Sequence, residues 1–168
     1  MQAFELDRSI YLPCPLSQVF PFLADPTQQP LIAPPRLRMR FEGCNDRVLR
    51  TGSSFEFALR VRGLPLRWRT LVSSWHPPFE FVHEQVSGPF REWSHHYAFE
   101  SIEGGTRVCE RIRYVPPGGA LFDRLFVRHE LDSIFTYRAK RLSELFRGCD
   151  DIAFDWSSRG SFSGLEQA

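Results

Sequence analysis

Two adjoining stretches of opposite periodicity constrain this chain more than anything else in it. From Arg36 to Pro116, short segments alternate apolar with polar residues, and Gly, Pro or Asn bounds each one. From Ala120 to Arg147 there is no proline or glycine. There, Leu121, Phe122, Leu125, Phe126, Leu131, Ile134, Phe135, Leu142, Leu145 and Phe146 recur at three-, four- and seven-residue spacing. A period of two marks a half-buried strand, and a period near 3.6 marks an amphipathic helix. A helix of about 28 residues is about 42 Å long, so its apolar stripe needs a wide partner. A curved sheet made by the preceding segments is that partner.

The strands read as an antiparallel meander because short turns join them. Phe55, Phe57, Leu59 and Val61 alternate with Glu56, Ala58, Arg60 and Arg62 before the turn at Gly63-Leu64-Pro65. Leu66, Trp68, Thr70 and Val72 follow, then Phe79, Phe81 and His83. Gly88-Pro89 turns into Trp93, His95, Tyr97 and Phe99, and Gly104-Gly105 turns into Thr106, Val108, Glu110, Ile112 and Tyr114. One face is aromatic and the other carries arginine, as expected of a sheet with one wet side. Before the meander, Phe4, Leu6, Ile10 and Leu12 make a strand with Arg8 as the exception on its apolar face. Leu16, Val19, Phe20, Phe22 and Leu23 then make a short helix, and a second short helix runs from Thr27 towards Ala33. Residues 1–147 read as one domain, and 148–168 as a Ser/Gly-rich tail in which Ile152, Phe154 and Trp156 alternate.

Composition excludes several classes. The 168 residues carry a net charge of +1, far from the basic footprint of a nucleic-acid binder. No apolar run nears the ~20 residues of a membrane-spanning helix, and the first residues lack the apolar core of a signal peptide. Cys14, Cys44, Cys109 and Cys149 are scattered, without the close pairing of a zinc or redox site. The expectation is a cytoplasmic protein with reduced thiols, monomeric or homodimeric, with no nucleic-acid partner, no integral membrane association and no cofactor. The informative excess is aromatic: 16 Phe, 4 Trp and 4 Tyr.

Strand, two short helices, long meander and long carboxy-terminal helix is the element order of the α+β helix-grip fold, with six to seven strands. The residues that carry a family resemblance run from Phe81, His83, Gln85 and Gly88-Pro89-Phe90 through Trp93, His95, Tyr97 and Phe99. They continue through Gly105-Thr106, Glu110, Tyr114 and Pro117-Gly118 to Ile134-Phe135 and Tyr137-Arg138. On these residues the chain resembles the SRPBCC superfamily of START-like proteins, polyketide cyclases and ligand-binding proteins, and within it a bacterial subgroup. His83 stands where that subgroup's pattern has an acidic residue, and Tyr97 where it has a second histidine. The resemblance implies a hydrophobic cavity between the sheet and the last helix. It does not fix one reaction.

The inward positions His83, Gln85, Trp93, His95, Tyr97, Glu110 and Tyr114, with Phe57, Trp68 and Phe135, are the candidate ligand contacts. If the two hairpins are centred on Gly88-Pro89 and the Gly104-Gly105 region, His83, His95 and Glu110 form a row across three strands. Such a row is a set of ligand contacts, a self-satisfied polar cluster or, least of the three, a metal site. The inward aromatics Phe55, Phe57, Trp68, Phe79, Phe81, Trp93 and Phe99 read first as core and then as a ligand wall. Arg138 either caps the cavity or is an ordinary surface arginine. The favoured function is binding, as carrier or sensor, of a small hydrophobic lipid- or polyketide-like molecule. The alternative is a cyclase, dehydratase or hydrolase in which His95 and Glu110 act as acid and base, Glu110 having its pKa raised by desolvation.

Overall fold

The computed structural model describes residues 2–147, so the expected tail at 148–168 and Cys149 lie outside the described residues. Seven strands form one antiparallel sheet: β1 (Phe4–Leu12), β2 (Arg40–Cys44), β3 (Ser54–Val61), β4 (Leu64–His76), β5 (Glu80–Ser87), β6 (Glu92–Ile102) and β7 (Gly105–Val115). Their order across the sheet is β1-β7-β6-β5-β4-β3-β2, so β1 crosses over to pair with the last strand and the rest is a meander. Helix α1 (Leu16–Ala24) and the 3-10 turns Pro26–Ile32 and Pro35–Leu37 form that crossover. Bulges at Phe41/Gly43 in β2, at Val72/Ser74 in β4, and at Val86 in β5 opposite Arg69/Thr70 break the ladder. Each bulge bends its strand and increases local twist, and so curls this half of the sheet round the helix.

The outer face is a ladder of ion pairs. Glu56 accepts from Arg67 and Arg69 across the β3–β4 hairpin, Glu100 from Arg107, and Asp7 from Arg111. Exposed pairs of this kind contribute little each, and they keep the arginine-rich face solvated. The Arg8 exception on β1 has its own explanation, since its guanidinium reaches Asp132 on the last helix.

The last helix departs from the single run expected over Ala120–Arg147. It opens as α2 (Gly119–Phe122), loosens into a π turn at Asp123–Val127 and continues as α3 (Arg128–Leu145). An extra residue per turn rotates the side chains on either side out of phase. In α3, Leu131, Phe135, Arg138 and Leu142 face inward. Before it, Leu121, Phe122, Leu125 and Phe126, expected in the same buried stripe, are 70, 39, 57 and 40% exposed. Phe126 lies under the Arg62 guanidinium at 5.1 Å, so this segment leans on the β3–β4 hairpin tip. Phe79 is also corrected: it is 63% exposed, because it sits in the β4–β5 connection where its backbone closes the turn to His76.

Inside, three apolar clusters form. One surrounds α1 and contains Phe20, Phe22, Phe81, Phe99, Leu142 and Phe146. A second gathers Leu6, Ile112, Tyr114, Leu131 and Phe135, and a third gathers Leu49, Phe55, Phe57, Leu59 and Val72. The second and third do not merge. The space between them is the cavity.

Candidate functional site

The cavity has a volume of about 170 Å³. Phe55, Phe57, Leu59 and Trp68 wall it on the curled side of the sheet, and Trp93 stands on the opposite strands. Leu131, Ile134 and Phe135 close it from α3, with Ile32 and Leu37 from the 3-10 turns. Strand parity decides which sheet residues arrive here, because alternate side chains of one strand share a face. Trp68 meets Trp93 edge-to-face at 5.1 Å, and Phe90 covers both.

Seven of the ten expected contacts line this space: Phe57, Trp68, His83, Trp93, His95, Tyr97 and Phe135. Gln85, Tyr114 and Glu110 do not. The Gln85 amide donates to the Phe90 carbonyl at 2.7 Å and accepts from the Phe90 N–H, so it braces the β5–β6 connection. Tyr114 packs among Phe4, Phe90 and Trp93 beneath the wall. Glu110 lies behind the cavity floor.

That floor is built round one arginine. Arg138 projects from α3 into the interior, where its side chain is only 9% exposed. Its Nε donates to Glu110 at 3.2 Å, Nη1 to the Gln29 side chain at 2.7 Å and Nη2 to the Tyr97 hydroxyl at 3.1 Å. His95 Nε2 lies 2.9 Å from Glu110 Oε2, an ion-pairing distance, but its N–H is poorly aligned with the oxygen. The His95 ring stacks on Tyr97 at 4.0 Å. Beside them His83 is buried against Phe81 and Phe55, and its Nε2 has no hydrogen-bond partner among the described residues.

Burial and pairing set the charges. Burial works against ionised Glu110, but the Arg138 guanidinium and His95 outweigh it and hold the carboxyl down at about 2. This reverses the expected rise from desolvation, since the arginine is closer than anything sequence spacing revealed. Burial lowers the His95 pKa in spite of Glu110, and lowers His83 to about 3, with His95 and Arg138 adding to the effect. Burial raises the Tyr97 pKa. At neutral pH the floor therefore holds one carboxylate, one guanidinium and two neutral imidazoles. Its net charge is zero.

The expected row is also corrected. His83 does sit opposite His95, but Glu110 sits opposite Tyr97, and His95 faces Ile112. The β6–β7 turn places Ile102 against Gly105, with Gly104 at φ +78°, so the register differs from the one that aligns Glu110 with His95. Parity survives because the difference is an even number of residues. Among the described residues no group of three His, Cys, Asp or Glu side chains is placed to hold a metal.

Sequence reasoning leaves Arg138 between a cavity cap and a surface arginine, and it misses Gln29; the buried position at the cavity decides for Arg138. Arg138 had a visible signal. It interrupts the series Leu131, Phe135, Leu142 at helical spacing, where an arginine is out of place unless it has a buried partner. Gln29 had none, since it lies on a 3-10 turn with no periodicity to read.

Solved structures share this architecture across most of the chain. The ginseng major latex-like protein 151 of Panax ginseng superposes with a TM-score of 0.64 at 10% identity, covering 87% of this chain and 99% of that one. The Zhui aromatase/cyclase of Streptomyces sp. R1128 gives 0.61 at 14% identity, covering 83% and 88%. The di-domain ARO/CYC StfQ of the steffimycin biosynthetic pathway gives 0.68 at 12% identity, and this chain spans 51% of its length. This is the helix-grip fold, shared by these neighbours. No family model and no curated protein matches the sequence. At these identities the helix-grip likeness concerns the fold, and the site must be argued from its own residues. No helix among the described residues is long and apolar enough to cross a membrane.

Proposed function

We propose that this helix-grip domain binds a small hydrophobic molecule between the sheet and α3, as a carrier or sensor. The observation that carries the reading is the cavity itself, a space left open inside an otherwise close-packed aromatic core. Interiors pack to crystal-like density, so an apolar void lowers stability unless something occupies it. Apolar pockets with a few fixed polar groups are the usual form of a small-molecule site. Cys44 and Cys109 form no disulfide among the described residues, in keeping with a reducing, cytoplasmic setting.

A second reading has an observation of its own. The Zhui and StfQ neighbours are described as aromatase/cyclases, and a charged floor beneath an aromatic cavity can polarise a carbonyl. In this reading Arg138 and Tyr97, which line the cavity, face the substrate, while Glu110 sets their charge from behind.

Native mass spectrometry and solvent extraction of freshly purified protein test the binding reading. A stoichiometric small molecule released on denaturation is the expected result. Its absence, together with failure to bind any aromatic or aliphatic probe in calorimetry, overturns it. A molecule recovered chemically altered after incubation moves the assignment to the enzyme.

A further inference from the structure

The cavity's size and its charge balance narrow the ligand further, an inference that rests on the binding reading. A cavity of about 170 Å³ is small for the fold's purpose. Pockets for drug-sized ligands measure ~300–1,000 Å³. An engineered apolar cavity of ~150 Å³ takes one benzene. A long acyl chain or a multi-ring scaffold does not fit, whereas a compact ring system does. The walls favour a planar guest, since Phe57, Trp68, Trp93 and Phe135 present ring faces and edges from four elements.

The floor argues about charge. An arginine in a cavity ordinarily marks a site for a carboxylate or phosphate. Here three of the five N–H groups of Arg138 already donate, to Glu110, Gln29 and Tyr97, and Glu110 cancels its charge. An anionic ligand would place two negative charges against one positive charge in a half-open but largely apolar site. Taking an ion out of water costs several kcal/mol unless a dedicated partner compensates.

We propose that the cavity selects a compact, uncharged aromatic molecule of one or two rings, and that Glu110 is the residue that excludes anions although it does not line the cavity.

The test is calorimetry on the full chain with three probes at neutral pH: 2-naphthol, 2-naphthoate and palmitate. The naphthalene pair shares one ring system and differs in charge, and palmitate tests length. The expected order is 2-naphthol first, with 2-naphthoate weaker by ~10-fold or more and palmitate not binding. Glu110→Gln leaves the floor one charge positive and raises the naphthoate-to-naphthol affinity ratio by ~10-fold or more. Combining Glu110→Gln with Arg138→Met makes the floor neutral again and returns the ratio to its wild-type value. Wild-type protein that binds 2-naphthoate or palmitate as tightly as 2-naphthol sinks this proposal and leaves the binding reading standing. Binding of none of the three, with no copurifying molecule, sinks both. Should Glu110→Gln fail to fold, Arg138→Met replaces it: with Glu110 left unbalanced the naphthoate-to-naphthol ratio should fall below the wild-type value, and an unchanged ratio overturns the role of Glu110.

Discussion

The two ends of the interior are equally aromatic and differently filled. At one end α1 inserts Phe20, whose ring lies 5.1 Å from Phe99, 5.9 Å from Phe81 and 5.7 Å from Trp75. Phe22 from the same helix meets Phe146 edge-on at 5.3 Å. At the other end Phe55, Phe57, Trp68 and Trp93 line a similar concave surface, but the side chains that α3 and the 3-10 turns send towards it do not fill it, and the cavity remains. Aromatic content therefore does not signal a binding site. What decides is whether another element of the chain fills the concavity. Between the two ends lies the Glu110–Arg138 floor.

The largest effect is expected at that floor. Glu110→Ala leaves Arg138 buried without its counter-charge, and breaking a buried pair from one side costs ~3–5 kcal/mol. Urea denaturation should show that loss. Replacing both partners, as Glu110→Leu with Arg138→Met, should recover most of it, because a pair replaced by apolar groups of similar volume is near neutral. A double variant as unstable as Glu110→Ala alone would mean that Gln29 and Tyr97, not the charge balance, hold the floor.

Next comes the contrast between the ends. Phe20→Ala in the filled end should cost ~3–5 kcal/mol, the range for truncating a fully packed phenylalanine. Phe57→Ala borders a space that is already empty, forfeits fewer contacts and should cost ~2 kcal/mol. Equal losses in urea denaturation would show that the two ends are packed alike in solution.

Acidification strikes the cavity end first. His83 titrates at about 3 in the fold against 6.5 as an ordinary histidine. The unfolded chain thus binds a proton that the folded chain refuses, and stability falls as the pH drops below about 6.5. Glu110, held at about 2 against 4.5, adds a second loss in the same direction below about 4.5. The midpoint of urea denaturation should decline steadily from neutral pH towards pH ~4, at no more than ~1.4 kcal/mol per unit for each group. Burial lowers the His95 pKa as well, so His83→Phe should remove only its own share of the upper part of that decline. A midpoint that does not move between neutral pH and pH ~5 contradicts the buried, neutral His83.

How much of this was legible beforehand depends on whether periodicity carried it. The limits of β1 at Phe4 and Leu12, the meander and the inward parity of His83, His95 and Tyr97 follow from period two, which the pleat enforces. The π turn at Asp123–Val127 has no periodic signal, so the expected stripe includes Leu121, Phe122, Leu125 and Phe126, before and within the turn, which do not join it. The Glu110–Arg138 pair spans 28 residues and two element types, and no spacing rule connects a strand to a helix across a cavity. Arg138 was detectable as a charge on an apolar stripe. Its partner was not.

The smallest effect is expected at His95, and it separates neighbouring residues that face opposite ways. His95 is 7% exposed, stacked on Tyr97 and edge-on to Phe135 at 5.5 Å. His95→Phe keeps both ring contacts and gives up only the polar contact with Glu110, which Arg138 still satisfies. The loss should be ~1 kcal/mol, the net worth of one such contact. His96 points to the outer face and meets Glu80 at 3.1 Å in a half-exposed pair. His96→Phe should stay within ~0.5 kcal/mol of the parent, as surface changes do. In the same variants, His95→Phe should narrow the preference for 2-naphthol over naphthalene, because an imidazole on the cavity wall can exchange a hydrogen bond with a ligand hydroxyl and a phenyl ring cannot. His96→Phe should leave that preference alone. If His95→Phe instead costs ~3 kcal/mol or more, the misaligned contact at 2.9 Å is a strong bond in solution and His95 is as much a part of the floor's ion pairing as Arg138.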